Sequence, residues 1–161
     1  MTDSDNRARL IALLRDSDLC MLTTMTKDGR HLSRPMSLQK TEFDGDLWFF
    51  AFEDSDVAAQ IRDSPQVNVA VSDKGKWISV SGRAEVCYDR DRAAQLWHKG
   101  LEAWFPEGLD TPGLTMIKVT AESAQYWATP HGRMVTMLEY AAAAVLHTDP
   151  PEGEQASVRL R

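Results

Sequence analysis

The stretch that decides the fold covers residues 66–87 and reads QVNVAVSDKGKWISVSGRAEVC. Over residues 66–72, valines alternate with polar residues, which is the period-two pattern of a strand with one buried face. Asp73-Lys74-Gly75-Lys76 then supplies a tight turn before a second strand-like run at residues 77–87. The stretch therefore predicts an antiparallel β-hairpin.

More hairpins and a few helices are predicted on both sides of this stretch. Strands are expected at residues 19–26 and 31–39 around a Lys27-Asp28-Gly29-Arg30 turn, and at 47–52, 114–121 and 124–128. Helices are expected at residues 6–15, 57–63, 89–105 and 134–147. Six or seven strands in hairpins with few helices favour an antiparallel barrel, mainly β with flanking helices.

Length and composition favour one soluble domain. With 161 residues and 43% hydrophobic content, we expect one domain over residues 1–147, and residues 148–161 as a C-terminal tail or edge strand. The balance of 18 basic and 24 acidic residues argues against nucleic acid as a partner. Because no signal-peptide pattern and no membrane-length apolar run occurs, we expect no membrane association and a cytoplasmic location.

No residue pattern points to a metal site or to a catalytic group. The two cysteines, Cys20 and Cys87, lie in apolar runs and are expected to be small buried residues rather than a disulfide. Metal-ligand spacing is lacking among the four histidines, which are His31, His98, His131 and His147. No nucleophile-elbow, phosphate-loop or dinucleotide fingerprint occurs either, so we predict no metal and name no catalytic residue.

Several motifs together resemble a known family. Arg34-Pro35-Met36, with LTT before it and LWFFAFEDSD after it, resembles the pyridoxamine 5′-phosphate oxidase-like superfamily of flavin-binding split barrels. WISVSGRAEVCYDRDRAAQLW at 77–97, WFPEG at 104–108 and AQYW at 124–127 resemble its general stress protein 26 branch. The resemblance covers about residues 10–127. It implies a split β-barrel with FMN at the interface of a homodimer.

The resemblance also implies three cofactor-binding stretches, which comprise Arg34, Pro35, Met36 and Ser37, then Phe49, Phe50, Ala51 and Ser55, and finally Trp77. Physical chemistry supports parts of this set. The arginine fork suits a phosphate dianion, a helix N-terminus at Ser55 favours an anion, and aromatic side chains suit a flat apolar ring. Two structural alternatives stay open, because Arg34-Pro35 is also typical of a solvated edge strand and Ser55 of a simple helix cap.

The chain departs from the family pattern in the phosphate loop. Many members carry a lysine shortly after the loop serine, whereas here Asp56-Val57 follows Ser55 and Asp54 precedes it. A carboxylate near a phosphate lowers its affinity. The candidates for a compensating cation are Arg62, Lys74 and Lys76.

Two further expectations concern the second half of the chain. The oxidase's arginine and histidine for pyridoxamine phosphate are not recognisable, since Pro130-His131-Gly132-Arg133 reverses and respaces those residue types. The aromatic set Trp97, Trp104 and Phe105 recurs at helical offsets and is expected to belong to the core.

Three hypotheses for the function follow. The first is an FMN-dependent oxidoreductase of unknown substrate that is not a true pyridoxamine 5′-phosphate oxidase, with FAD or a deazaflavin as alternative cofactors. The second is a flavin-binding stress protein without turnover. The third is a split-barrel dimer that has lost its cofactor.

Overall fold

The computed structural model describes residues 2–40, 42–129, 133–146 and 153–161. Its strands are β1 (Leu19–Met25), β2 (His31–Ser37), β3 (Asp46–Phe52), β4 (Gln66–Asp73), β5 (Lys76–Cys87), β6 (Leu114–Ala128) and β7 (Glu154–Arg159). Its helices are α1 (Asp3–Arg15), α2 (Asp56–Asp63), α3 (Arg90–Leu96) and α4 (Arg133–Leu146), with 3-10 turns at Lys99–Ala103 and Gly108–Asp110. The predicted mainly β, antiparallel fold with flanking helices is confirmed.

The strands form one curled, half-barrel sheet. Its order is β2-β1-β4-β5-β6-β3, and β7 also pairs with β6. β6 pairs with β5 on one edge, and on its other edge it pairs first with β3 and then with β7. The C-terminal strand therefore extends the same sheet as the rest of the chain.

Strand alternation divides the interior into two hydrophobic clusters. The main cluster lies inside the curl and includes the fully buried Leu22, Val69, Val80 and Tyr126. The smaller cluster lies beneath α3 and holds Phe50, Ala93, Leu96, Leu101, Phe105, Leu114 and Met116. Consecutive residues of a strand point to opposite faces, so Phe49 belongs to the main cluster and Phe50 to the smaller one.

A β-bulge marks the place where β6 changes partners. The pairing of β5 with β6 shifts register between Ser81 and Gly82. A Cβ atom on Gly82 would lie 2.3 Å from the carbonyl oxygen of Thr120, so no larger residue fits there without movement of the backbone. The strands predicted at 114–121 and 124–128 are consequently one continuous strand with a bulge.

The predicted helix over residues 89–105 is wrong in its length. α3 ends at Leu96, and Trp97 has an extended backbone with φ −67° and ψ 135°. A 3-10 turn from Lys99 to Ala103 follows. The apolar spacing that predicts one helix is divided between two short helical segments. Gly100 would lie inside the longer predicted helix, where glycine is unfavourable.

The predicted helix at residues 134–147 is present as α4. The histidines His131 and His147, and the segment Pro130-His131-Gly132, lie outside the described residues. No helix in the described ranges is long and apolar enough to cross a membrane.

Both cysteines are free thiols in a protected setting. Cys20 is buried on the inner face of β1, and burial raises the pKa of its thiol to about 12. Cys87 is half-buried, and its pKa is also raised, first by burial and then by the charge of Glu85. The two side chains are therefore shielded thiols rather than a disulfide, as the sequence predicts.

Two lysines bind the C-terminal end of α1. Lys76 is buried and donates from Nζ to the Leu13 carbonyl oxygen at 2.8 Å. Lys40 donates from Nζ to the carbonyl oxygens of Arg15 and Ser17 at 3.2 and 3.1 Å. Cations at a helix C-terminus satisfy the free carbonyl groups and oppose the negative end of the helix dipole.

We expect Gly82→Ala to lower the free energy of unfolding by about 3 kcal/mol, because the new methyl group collides with the Thr120 carbonyl. Urea unfolding followed by circular dichroism measures this loss. The neighbouring Ser81→Ala is the control and should change stability by less than about 0.5 kcal/mol. An equal effect of the two substitutions would contradict the role given to the bulge.

Candidate functional site

A mostly apolar groove of about 330 Å³ lies between β2, β3 and the segment that follows α3. Six of the residues predicted from the family resemblance line it, namely Pro35, Met36, Ser37, Phe50, Ala51 and Ser55. The other lining residues were not predicted, and they are Leu19, Gln39, Phe52, Val57, Leu101, Trp104 and Phe105. The groove therefore joins segments that are remote in the sequence.

Three predicted residues lie outside the groove lining. Phe49 is fully buried in the main cluster. Trp77 is 46% exposed on β5, where it pairs across the sheet with Trp127 of β6. Arg34 lies on the inner face of β2, opposite Leu22 in the register. Within one chain, most of the predicted residues of β2 and β3 lie together at the groove, whereas Trp77 lies on another part of the sheet.

Arg34 is held by polar groups of β1 and α2. Its Nη1 donates to Thr24 Oγ1 at 2.6 Å, and its Nη2 donates to Gln60 Oε1 at 3.0 Å. A weaker bond from Nη1 reaches the Leu22 carbonyl oxygen at 3.4 Å. These bonds leave the Nε–H and one Nη2–H of Arg34 without a partner among the described residues.

The electrostatic setting of Arg34 has two opposing parts. Burial lowers the pKa of its guanidinium, and the charge of Asp56 acts in the opposite direction. The group stays charged at any physiological pH, because an arginine starts from a pKa above 12. Asp56 therefore partly neutralises the cation that the sequence assigned to a phosphate.

Ser55 is the N-cap of α2. Its hydroxyl accepts from the Ala58 N–H at 3.4 Å and donates to the Phe52 carbonyl oxygen at 2.6 Å. It thereby satisfies one of the free N–H groups of the helix start. The helix cap that the sequence left open as an alternative is present, and Ser55 also lines the groove.

The three candidates for a compensating cation are engaged elsewhere. Lys76 is buried at the end of α1, and Lys74 lies 3.9 Å from the Asp73 carboxylate. Arg62 donates from Nη1 to the Glu53 carbonyl oxygen at 3.0 Å. None of the three lines the groove, so these candidates are not supported. These three residues were chosen for their nearness to Ser55 in the sequence, but the fold directs their side chains to other partners.

The aromatic residues after α3 differ in burial. Phe105 is 5% exposed and packs against Phe50, Phe52 and Trp97 at centroid distances of 6.4, 5.0 and 6.2 Å. Trp104 is 72% exposed and lines the groove, so its predicted place in the core is wrong. Because the extended backbone at Trp97 ends α3, the residues after it do not continue the turns of that helix. The side chain of Trp104 therefore points outward instead of towards the smaller cluster.

An uncharged face of the sheet adjoins the groove. In the middle of β1, β4, β5 and β6, outward side chains align in three cross-strand rows, Met21–Ala70–Ser79–Gln125, Thr23–Asn68–Ser81–Ser123 and Ser72–Trp77–Trp127. None of the side chains in these three rows carries a charge, and the nearest charged ones on the same face flank the rows at Arg83 of β5 and Arg159 of β7. The face continues to Leu19 at the start of β1 and to Pro35 and Ser37 on β2, and these three residues also line the groove. We call this surface the uncharged face.

The groove carries no titratable side chain in the described part of the chain. Its polar side chains are those of Ser37, Gln39 and Ser55, with the indole of Trp104. Over the same described residues, no three His, Cys, Asp or Glu side chains lie close enough to hold a metal ion. The arrangement suits binding of a flat apolar group better than proton transfer by a resident acid or base.

Comparison with known proteins defines the class. A family model described as pyridoxamine 5′-phosphate oxidase like matches residues 5–151. The chain belongs to this family, and its fold is the split β-barrel of that family. Protein bli-3 of Neurospora crassa is 31% identical over an alignment of 129 residues, and the match covers 73% of this chain. The aligned region spans 62% of that fungal protein's length.

Solved structures with similar folds include several general stress proteins. The protein of Jannaschia sp. CCS1 assigned to general stress protein 26 is 28% identical with a TM-score of 0.79, and the match covers 98% of this chain and 99% of that one. The general stress FMN/FAD binding protein of Xanthomonas citri is 26% identical with a TM-score of 0.67, covering 78% of this chain and 89% of that one. The resemblance to the general stress protein 26 branch is therefore confirmed.

Trp104→Ala should lower the free energy of unfolding by less than about 1 kcal/mol, because the indole is mostly exposed. The neighbouring Phe105→Ala should lower it by about 3–5 kcal/mol, because it empties the smaller cluster. Urea unfolding of both variants tests the contrast. A loss at Trp104 as large as that at Phe105 would place Trp104 in the core after all.

Proposed function

We propose that this protein binds FMN in the groove and acts as an FMN-dependent oxidoreductase in the form of a homodimer. The observation that carries the proposal is the groove itself. It gathers Pro35, Met36, Ser37, Phe50 and Ala51, which the family resemblance assigns to a flavin on sequence motifs alone. The name of the Xanthomonas citri relative, an FMN/FAD binding protein, supports the same ligand class. FAD is the alternative flavin that this name leaves open, and a deazaflavin is a third.

The walls of the groove fit the isoalloxazine ring. Phe50, Met36, Leu101 and Trp104 supply apolar and aromatic surface, and a flat ring system gains free energy from burial against such surface. Ser37, Gln39 and Ser55 add a small number of polar groups, as binding sites for mostly apolar cofactors commonly do. Trp104, exposed at 72%, would lose water-accessible area on binding.

The phosphate end depends on Arg34. Its free Nε–H and Nη2–H groups offer a two-pronged donor, and the bonds to Thr24 and Gln60 hold the guanidinium in one orientation. Asp56 weakens this site, because an acidic residue stands in the loop where many relatives carry a lysine. We therefore infer one strong phosphate contact rather than several.

The uncharged face supports the homodimer. Charged residues are depleted in the centres of protein interfaces, and aromatic residues such as Trp77 and Trp127 are enriched there. Leu19, Pro35 and Ser37 belong to both this face and the groove, so a second copy packed on the face would border the groove. We propose that Trp77, which lies on the face covered in such a dimer, contacts the flavin at the interface.

The roles of the chain's own residues are binding and orientation. A bound flavin supplies hydride and single-electron transfer. Arg34 would fix its phosphate, and Met36 and Phe50 would hold its ring and exclude water. No His, Asp, Glu, Lys or Tyr lines the groove among the described residues, so any proton would come from solvent or substrate.

The lack of an acid or base among the described residues of the groove also supports a second candidate, a flavin-binding stress protein without turnover. The two candidates differ in one measurement, because only an oxidoreductase oxidises NADH or NADPH in the presence of bound flavin and an acceptor.

The acidic phosphate loop supports the third hypothesis, a dimer without a cofactor. A purified protein that is colourless and takes up no added flavin would establish it.

Arg34→Ala should weaken FMN binding by about 2–4 kcal/mol, because it removes a charge-assisted contact and leaves a dianion unpaired. Riboflavin, which lacks the phosphate, should bind nearly as well as before. Titration of the apo-protein with each ligand, followed by flavin fluorescence, gives both affinities. Arg34→Lys should recover only part of the loss, since it keeps the charge and not the planar fork.

Two further variants sharpen this test. Asp56→Asn removes the opposing charge and should strengthen FMN binding without changing riboflavin binding. Arg62→Ala is the matched control, because Arg62 is engaged with Glu53 and does not line the groove. Equal losses for FMN and riboflavin on Arg34→Ala would show that Arg34 supports the fold or the ring and not the phosphate.

Ala70→Arg should convert the expected dimer into a monomer, because it puts a charge in the middle row of the uncharged face. Sedimentation velocity at micromolar concentration measures the change. Ala59→Arg on the exposed side of α2 is the same substitution away from this face and should leave the dimer intact. A wild-type protein that sediments as a monomer would overturn the dimer and the interfacial cofactor site together.

A further inference from the structure

The aromatic residues that line the groove differ in their access to solvent. Phe50 and Phe105 are buried, and so is Leu101 beside them. Phe52 and Trp104 line the same groove but are 38% and 72% exposed. We call the three buried residues the inner wall, and we call Phe52 and Trp104 the aromatic rim.

Ordered backbone and buried neighbours hold the aromatic rim in place. The N–H groups of Trp104 and Phe105 both donate to the Leu101 carbonyl oxygen, at 3.0 and 2.9 Å, and the Gly108 N–H donates to the Phe105 carbonyl oxygen at 3.0 Å. The ring of Phe52 packs on the ring of Phe105, with 5.0 Å between their centres. The exposure of Trp104 and Phe52 is therefore built into the local structure.

The volume of the groove leaves the aromatic rim for a second molecule. At about 330 Å³, the groove is at the lower end of the range for sites that hold one organic ligand, so a flavin ring against the inner wall would fill it. Large apolar side chains that stay exposed next to such a site mark a further binding surface.

The charges near the aromatic rim are mostly negative. The lining segments at residues 50–57 and 99–105 carry four acids and one cation, all exposed, which are Glu53, Asp54, Asp56, Glu102 and Lys99. Arg62 of α2 offsets one acid, because its Nη2 lies 4.0 Å from the Glu53 carboxylate. The remaining excess of acids repels an anion that approaches the rim.

We propose that the aromatic rim binds an uncharged, planar aromatic substrate beside the flavin. Flat rings pack well against an indole and a phenyl ring, and an uncharged molecule avoids repulsion by the nearby acids. Trp104 is then the residue that determines substrate specificity. This inference rests on the proposed function, because the flavin must occupy the inner wall.

Two probes of similar shape test the preference for an uncharged molecule. They are 2-(hydroxymethyl)anthraquinone, which is neutral, and anthraquinone-2-sulfonate, which is an anion. Equilibrium dialysis against the FMN-loaded protein measures the affinity of each. We expect the neutral probe to bind about fivefold more tightly. Equal affinities, or tighter binding of the sulfonate, would overturn the proposal.

Variants of exposed aromatic residues locate the neutral probe. With FMN at a concentration that saturates each variant, Trp104→Ala should weaken the neutral probe about tenfold, and Trp104→Phe should weaken it less than about threefold because it keeps an aromatic ring. Tyr88→Ala is the matched control, because Tyr88 is also an exposed aromatic residue but does not line the groove. Equal effects of Trp104→Ala and Tyr88→Ala would show that the rim is not the site.

A charge variant tests the repulsion of anions. Glu102 lies between Leu101 and Trp104 in the chain, and Glu102→Gln should strengthen binding of the sulfonate about two- to threefold while leaving the neutral probe unchanged. Asp3→Asn removes an exposed acid that does not line the groove and should change neither affinity. An equal gain for both probes on Glu102→Gln would contradict the electrostatic part of the proposal.

The outcomes with FMN keep this inference apart from the proposed function. Failure of FMN to bind would overturn the proposed function and this inference with it. Binding of FMN without binding of the neutral probe would remove the substrate site alone. Displacement of FMN by the neutral probe would show that the probe occupies the inner wall, and the assignment to the aromatic rim would be wrong.

Discussion

The architecture depends on the double pairing of β6. This strand has 15 residues, and almost all of its backbone polar groups find partners because β5 follows one edge while β3 and β7 divide the other. The change of partner at Glu122 needs a local bend, and the missing side chain of Gly82 gives the backbone of Thr120 the space for it. Unpaired backbone groups on a buried strand edge cost free energy, so β3 and β7 must both lie against β6. The bend determines the direction of each half of β6 and therefore the positions of these two strands.

The curl of the sheet leaves β2 at an edge, and this edge is where the groove forms. Along β2 the side chains alternate, so that Arg34 and Met36 turn inward while Pro35 and Ser37 face the uncharged surface. Proline is tolerated at such an edge, because its missing N–H faces no partner strand. One strand thus serves the groove, the inner polar contacts of Arg34 and the outer face at the same time.

Much of this could be predicted from the sequence, because the decisive signals are local. The alternating valines of β4 and the glycine turn before β5 predict the hairpin at its observed place. The family motifs lead to the β2 and β3 walls of the groove. The wall formed by Leu101, Trp104 and Phe105 was missed, because its offsets fit one long helix as well as two short helical segments.

The positions of charges were harder to predict, since they depend on contacts between distant segments. Lys76 is bound to a carbonyl group 63 residues away, at the end of α1, and no local pattern shows this partner. In the same way, the bond of Arg34 to Gln60 joins β2 to α2 across 26 residues. Sequence patterns identify which residues can carry a charge to a ligand, and tertiary contacts decide which of them are free to do so.

The chemistry of the two thiols has a consequence for how such a protein could respond to oxidants. Peroxides attack thiolates, and burial raises the pKa of the Cys20 thiol to about 12, so this side chain stays protonated at neutral pH. Cys87 is half-buried, and its thiolate is disfavoured by burial and by Glu85. With only these two cysteines in the chain, thiol chemistry is a poor route for a redox signal. An oxidant would meet little thiolate on this protein, and the side chains open to oxidation are its thioethers, such as that of Met21, which is 41% exposed.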